Sequence, residues 1–319
     1  NAFNEIRHGK ALWKIFLILA IILFLIETWV GRPSINNNIK WCKKLDRALL
    51  IGIILPNVYV DDVKNHLDEL KMLAQTANVE TLGVITQRVQ KINPAFYIGK
   101  GKAHQVIDQA KLLGANVIIF DDELSPAQIK NYHRLAKKIK VIDRSSLILD
   151  IFKKHAKTRE AKTQVELALC QYLLPRLTKQ WTHLERQRGG TTFIGGPGEL
   201  QIELDRRLIQ EKILNIKKRL SKVKSRRQVQ RNLRKNNNFK TVALIGYTNA
   251  GKTLLFNKLT KKKQSSRSRL FETLDTKISR VYLGEKTYIG LIDTVGFINN
   301  IPTSLIESFK ATLEEVNKA

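Results

Sequence analysis

Apolar and polar positions alternate along this chain with two different periods, and the switching between them outlines the elements. Residues 48–55 form a nearly continuous apolar run, the pattern of a strand covered on both faces. Residues 61–76 then carry Val63, Leu67, Leu70 and Leu73 at helical spacing. The same alternation predicts a strand over 80–85, a helix over 101–113, a strand over 116–120, a helix over 126–138 and a strand over 140–142. Strands that alternate with helices argue for a parallel sheet with helices on both faces.

Two long helices are predicted next. Residues 158–177 place Ala161, Val165, Ala168, Leu169, Tyr172 and Leu173 on one stripe. Residues 199–233 carry Ile209, Ile213, Ile216, Leu220 and Val223, the spacing of a coiled-coil seam. One seam must bury against another, so an antiparallel pair is the economical arrangement. The joining segment, 180–197, interleaves Trp181, His183, Arg186, Arg188 and Phe193 with glycines. Two readings stand for it: contact with RNA phosphates and unstacked bases, or a solvated loop.

The first part of the chain follows neither pattern. Residues 15–26 are unbroken apolar sequence, with Arg7, Lys10 and Lys14 before them and Glu27 after. Residues 12–30 fall short of a clean spanning helix, and basic residues lie on both sides. Membrane association through 12–30, a signal-anchor, and sequence from outside the natural reading frame are the three readings. The chain opens on Asn1 rather than methionine, and only residues 297–319 follow its last motif, too few to complete a nucleotide-binding sheet; the expectation is part of a longer product.

Charge sharpens the picture. The formal net charge of +28 over 319 residues points to a polyanionic partner, nucleic acid or an anionic membrane surface. No Asp or Glu occurs from Lys212 through Leu270, while Lys and Arg crowd that interval. Cys42 and Cys170 have no metal-type spacing and imply no disulfide framework, and the histidines are scattered singly.

The candidate chemistry begins at a β-branched run, 241–245, that ends in Gly246-Tyr247-Thr248-Asn249-Ala250-Gly251-Lys252-Thr253 and continues at helical spacing from Leu254. Strand, G-x-x-x-x-G-K-T turn and helix are the setting of a phosphate-binding P-loop. Gly246 and Gly251 let successive N–H groups point into one cavity, beside the positive end of the helix. Lys252 is expected to reach the β- and γ-phosphates, and the Thr253 hydroxyl to hold Mg²⁺. Further on, a buried strand over 287–292 runs into Asp293-Thr294-Val295-Gly296, where the carboxylate meets the Mg²⁺ water shell and the Gly296 N–H senses a γ-phosphate. Between them, Leu270-Phe271-Glu272-Thr273-Leu274-Asp275 offers Thr273 as a switch that closes over Mg²⁺. That order is the order of a GTPase rather than of a generic ATPase. A second Gly-rich stretch, Tyr97 to Lys102, reads more simply as a turn than as a phosphate site.

Gly-Tyr-Thr-Asn-Ala-Gly-Lys-Thr at 246–253, Leu-Phe-Glu-Thr-Leu-Asp at 270–275 and Asp-Thr-Val-Gly-Phe at 293–297 resemble the HflX family of translational GTPases. So do Thr158-Arg159-Glu160-Ala161-Lys162, Gln164 to Ala168, Gly196-Pro197-Gly198-Glu199 and Asp205-Arg206-Arg207. The resemblance covers Arg47 to Ala319. It departs at Leu200, where the family usually has threonine, and at Thr276-Lys277-Ile278, where it usually has Pro-Thr-Thr. It implies an α/β chain beyond a non-family segment with an apolar run over 1–45: a parallel-sheet α/β domain over 46–157, a basic antiparallel helical hairpin over 158–238, and the first half of a P-loop GTPase domain over 239–319.

The implied ligands are GTP or GDP with Mg²⁺, held by residues 246–253 with Leu254, by Phe271, Glu272, Thr273 and Leu274, and by Asp293, Thr294, Val295 and Gly296. Lys252, Thr273 and Gly296 carry the catalytic roles; Thr253, Thr273 and, through water, Asp293 serve the metal. The implied partner is the large ribosomal subunit and its RNA, met by a cytoplasmic monomer that splits stalled or idle ribosomes. Guanine specificity rests on the resemblance, since the chain has no Asn-Lys-x-Asp element. An RNA-binding module with an incomplete nucleotide site is the rival reading. Phe297 follows D-x-x-G where many GTPases carry a water-orienting Gln. Asn249 resembles the P-loop asparagine of K⁺-dependent GTPases, against the plainer reading that it bonds the loop backbone.

Overall fold

The computed structural model describes residues 46–180, 197–236, 240–261, 270–271, 274, 277–284 and 287–299. The apolar run at 15–26 and the Gly-rich segment at 181–196 lie outside them. Among the described residues, no helix is long and apolar enough to cross a membrane.

The first half is a four-stranded parallel sheet. Its strands are β1 (Asp46–Ile54), β2 (Val79–Arg88), β3 (Val117–Phe120) and β4 (Lys140–Asp143), in spatial order β2-β1-β3-β4. Helices α1 (Val60–Thr76), α2 (Lys100–Leu112) and α3 (Pro126–Leu135) make the crossovers between consecutive strands. Alternate residues of β1 face opposite layers. Leu49, Ile51 and Ile53 join Val106, Ile107, Ile129 and Tyr132 in the core beneath α2 and α3. Gly52 points the other way, against Leu67 of α1. Because both faces are covered, the strand reads as a continuous apolar run.

Local chemistry sets the helix starts. Ser125 precedes Pro126 and forms a capping box with Gln128, each side chain accepting the other's backbone N–H. Asp143, the last residue of β4, caps a further helix, α4 (Arg144–His155), by accepting the Ser146 N–H at 2.8 Å. The periodicity did not assign α4. Every residue from Arg144 to Phe152 is buried, so the helix has no polar face to reveal it.

Helices α5 (Arg159–Gln180) and α6 (Pro197–Asn236) pack along the seam expected on α6. Helix α5 meets it with a face other than the expected stripe of Ala161, Val165, Ala168, Leu169, Tyr172 and Leu173. Leu167, Cys170, Ile209 and Ile216 are buried together, with Leu174, Leu177, Ile213 and Leu220 against them. The Lys212 ammonium reaches Glu166 across the seam at 2.7 Å. Arg176 anchors α5 to the sheet: its guanidinium bonds Asp143 at 3.1 Å and the Leu124 carbonyl at 3.0 Å, and lies 3.5 Å from the Tyr172 ring centroid. The Tyr172 hydroxyl donates to Asp143 at 2.9 Å.

A second sheet holds the candidate site. Strand β5 (Thr241–Leu244) leads to helix α7 (Lys252–Thr260); β6 (Lys277–Gly284) and β7 (Thr287–Asp293) follow, in order β5-β7-β6. β5 and β7 are parallel, β6 and β7 antiparallel. Strand β6 was not expected; it is an edge strand with mixed polar and apolar residues.

Asp143 is fully buried and accepts from Tyr172, Arg176, Ser146 and Leu124. Asp143→Ala would leave one arm of a buried guanidinium and a buried hydroxyl without this partner. We expect a loss of about 3 kcal/mol, as for other broken buried charge pairs. Urea unfolding followed by circular dichroism measures it, and a loss below about 1 kcal/mol would contradict this role for the carboxylate.

Candidate nucleotide site

Strand register brings the two motifs together. Parallel pairing sets Leu244, the last residue of β5, level with Asp293, the last residue of β7. The turn leaving β5 and the turn leaving β7 therefore open at the same sheet edge, where the positive end of α7 also lies. The Thr253 hydroxyl donates to Asp293 at 3.0 Å across this edge. The Thr294 hydroxyl donates to the Leu244 carbonyl and fastens the second turn to the first strand.

The Gly-rich turn keeps the backbone that the motif requires. Gly251, at φ +80°, and Asn249, at φ +61°, both occupy the left-handed region, open to glycine and tolerated by asparagine. The Ala250 N–H donates to the Tyr247 carbonyl, and the Leu255 N–H donates to Gly251 as α7 begins. Lys252 folds back over the turn, its ammonium donating to the Gly246 carbonyl at 3.0 Å and the Tyr247 carbonyl at 2.6 Å. Partial burial pushes the Lys252 ammonium below the ordinary lysine range, and the Asp293 carboxylate pulls the other way.

The second turn lies directly on the first. The Thr248 N–H donates to the Phe297 carbonyl at 2.8 Å, and the Phe297 N–H donates to the Gly246 carbonyl at 3.0 Å. Tyr247 and Phe297 thus form an isolated parallel bridge that extends the β5–β7 pairing. Only glycine fits at 296: a Cβ there would stand 2.6 Å from Thr248 Cα and 2.7 Å from its nitrogen. Asp293, Thr294 and Val295 are buried, while Tyr247, Asn249, Ala250 and Leu254 are exposed.

The expected site residues of 246–254 and 293–296 are therefore assembled at one edge. The remaining expected residues are Phe271, Glu272, Thr273 and Leu274. Glu272 and Thr273 lie outside the described residues, and Leu274 is half-buried. Phe271, named for the nucleotide site, puts its ring edge-on against Phe152 of α4, with centroids 4.8 Å apart. Its carbonyl lies 2.7 Å from His155 Nδ1. The reason is burial: Phe271 is 2% exposed in this seat.

A second contact was likewise absent from the motif reading. Arg144, buried at the start of α4, bonds Asp121 at 2.6 Å, Glu69 and the Asn299 carbonyl at 3.1 Å. Asn299 follows closely on Gly296, so the first sheet touches the second turn. Its only sequence signal was an arginine directly after a strand-ending aspartate.

The donors at the edge suit a hard cation. A buried carboxylate and a hydroxyl 3.0 Å apart are oxygen ligands of the type Mg²⁺ takes when phosphates complete its shell. Among the described residues, no group of three or more His, Cys, Asp or Glu could hold a metal alone.

Three family models match the chain in succession. One described as GTP-binding GTPase N-terminal covers residues 64–153, one described as GTP-binding GTPase Middle Region covers 155–234, and one described as 50S ribosome-binding GTPase covers 241–318. The chain is 44% identical to GTPase HflX of Escherichia coli (strain K12) over 268 residues, which is 83% of this chain and 62% of that protein. It is 43% identical to GTPase HflX of Caldanaerobacter subterraneus subsp. tengcongensis over 299 residues, 93% of this chain and 67% of the relative. It thus spans just under two thirds of the Escherichia coli relative. Among solved structures, the complex of SsGBP and GDP superposes with a TM-score of 0.50 at 27% identity, covering 86% of this chain and 69% of that one.

Gly296→Ala tests the seating of the second turn on the first. The added methyl meets backbone rather than a yielding side chain, so the bridge between 246–248 and 297 must part. Amide hydrogen exchange at Thr248 and Phe297 should accelerate at least about tenfold, the equivalent of 1.4 kcal/mol of local opening. Unchanged exchange at both amides would refute the contact.

Proposed function

The chain belongs to the HflX family of GTPases, and on that premise we propose that it supplies the phosphate-binding half of a GTP-hydrolysing site and the surface that docks on the large ribosomal subunit. The observation that carries the reading is the Thr253–Asp293 contact at 3.0 Å, which aligns a P-loop hydroxyl with a strand-end carboxylate. The name of the relatives and the GDP bound by SsGBP support guanine nucleotide over adenine.

Each residue then has a task. The N–H groups of the 246–253 turn and the start of α7 receive the phosphates. Lys252 leaves the Gly246 and Tyr247 carbonyls to meet the β- and γ-phosphates, exchanging neutral acceptors for charged ones. Thr253 and Asp293, with Thr273 from the switch, would hold Mg²⁺, which when bound neutralises charge on the transferring phosphoryl group. Gly296 offers its N–H to the γ-phosphate. Phe297 has no donor or acceptor in its side chain, so orienting the attacking water falls to groups supplied elsewhere. Asn249, exposed in the turn, would help hold a K⁺ ion against the phosphates.

The docking surface is α6. Lys217, Lys218, Arg219 and Lys222 are exposed along it, in the stretch without carboxylates, and suit the phosphates of large-subunit RNA. The 50S ribosome-binding description of the matching family model favours that partner. We assign the domain limits 46–157, 158–238 and 239–319, a monomeric cytoplasmic protein, and the splitting or rescue of stalled or idle ribosomes as its task.

Lys252→Ala in the full-length protein should abolish nucleotide binding in a fluorescence titration, because it removes the cation from a cradle of neutral donors. Retained affinity would sink the P-loop assignment; binding without turnover on large subunits would favour a non-hydrolysing RNA-binding module instead. Equal single-turnover rates in potassium and sodium buffers would remove the role given to Asn249.

Binding to large subunits should weaken steeply with salt, since each neutralised phosphate releases counterions. Lys217→Glu with Lys218→Glu should reduce both the affinity and the slope, by about one slope unit for each lost contact. A slope near zero between low and moderate salt would show that the basic helix serves something else.

A further inference from the structure

The antiparallel pair β6–β7 turns one face inward and the other to solvent. On the inner face Val281 and Leu291 pack on Phe256 of α7, with Leu244 and Ile289 against them. Side chains alternate across a strand, so Arg280, Tyr282, Tyr288 and Gly290 fall on the outer face. The register sets Tyr282 opposite Tyr288 and Arg280 opposite Gly290. The two rings pair with centroids 5.0 Å apart at 49°. Because Gly290 presents no side chain, the Arg280 guanidinium leans across and lies over the Tyr288 ring, 4.1 Å from its centroid.

Neither ring fills a core. Tyr282 is 59% exposed and Tyr288 42%, and the cluster around Phe256 includes neither of them. A cross-strand aromatic pair steadies a sheet only modestly, while large rings left in water forgo the gain of burial. Charge on this pair is one-sided as well. Neither β6 nor residues 287–292 contain Asp or Glu, and Lys277 and Arg280 are exposed. An exposed π surface bordered by cations suits a flat aromatic partner attached to an anion.

We propose that the outer face of β6–β7 is a stacking platform for unpaired RNA bases, one on Tyr282 and its neighbour on Tyr288 and Arg280. Every base has a π face, and aromatic rings and guanidinium planes are the groups on which unstacked bases settle. A duplex hides those faces, so the platform selects single strands, loops and bulges. The formal charge of +28 calls for a polyanion. Among polyanions, a nucleic acid presents flat π surfaces and a lipid headgroup layer does not. The platform is separate from the docking surface on α6. Helix α6 meets phosphates and is therefore salt-dependent, whereas stacking on uncharged rings releases no counterions.

The test is fluorescence anisotropy of a labelled, unstructured single-stranded RNA and of its duplex, titrated with the full-length protein over a range of salt. Tyr282→Ala with Tyr288→Ala should weaken single-strand binding about tenfold, with duplex affinity within about twofold of the parent. The salt slope should stay the same, because no phosphate contact is lost. Tyr282→Phe with Tyr288→Phe keeps both rings and should bind like the parent. Tyr282→Lys adds a cation and removes a ring, so it should also weaken single-strand binding. It decides the matter alone if circular dichroism shows the alanine variant unfolded. Unchanged affinity in the alanine variant overturns the platform, as does an equal loss on the duplex or a gain from Tyr282→Lys. So does unchanged RNA affinity with lost binding to anionic lipid vesicles, which would assign the face to a membrane. Charge reversal at Lys217 and Lys218 changes the salt slope and the tyrosine variants do not, so the α6 surface and the platform fail separately.

Discussion

Two consecutive residues at the end of β4, Asp143 and Arg144, are where the parts of this chain meet. Asp143 caps α4, receives the loop after β3 through the Leu124 N–H, and holds α5 through Tyr172 and Arg176. Arg144 turns to the other side, to Glu69 of α1, to Asp121 at the end of β3, and to the Asn299 carbonyl beyond the second sheet. A buried guanidinium or carboxylate without partners costs several kcal/mol, of order 3–5 when a pair is broken. These two therefore fix the positions of whatever they touch. A hydrophobic contact there would bury area equally well but would tolerate sliding. The charged contacts specify which atoms face each other.

The candidate site depends on a different constraint, the register of two parallel strands. Level pairing of Leu244 and Asp293 brings both turns to one edge, and every later contact follows from it. Thr253 reaches Asp293 only because α7 starts at that edge, and Gly296 lies on Thr248 only because the second turn leaves one strand over. A shift of one residue would turn Asp293 to the opposite face of the sheet. That is why a motif of eight residues and another of four, widely separated in sequence, meet at one edge, where the Thr253 hydroxyl joins them through Asp293.

Legibility in the sequence tracks how each element is buried. Strand β1, helix α1 and the α6 side of the seam were readable because an apolar run or stripe records their surroundings directly. Helix α5 is apolar on two faces, and its expected stripe is not the one that meets α6. The turn at 246–253 was readable because its glycines and its Lys-Thr pair have one demanding use. Helix α4 was not, since it is buried nearly all round and has no stripe. Strand β6 was not, because an edge strand with Lys277, Ser279 and Arg280 among its apolar residues resembles a loop. The seat of Phe271 lay furthest from reach. Its partners stand 116 and more residues away, and the aromatic ring that reads as a switch residue is equally at home in a core.

Charge completes the physical argument. The buried arginines, Arg144 and Arg176, are matched by Glu69, Asp121 and Asp143, so part of the chain's scarce acid is committed to its interior. Carboxylates used there cannot offset the exposed lysines and arginines of α6. The surface is thus more positive than the composition alone conveys. Salt acts on the two populations differently, because a Debye length of about 8 Å at physiological ionic strength screens exposed charges and leaves buried pairs nearly untouched. The same ion that loosens a polyanion from α6 leaves the Asp143–Arg144 junction intact, so binding and architecture respond to salt independently.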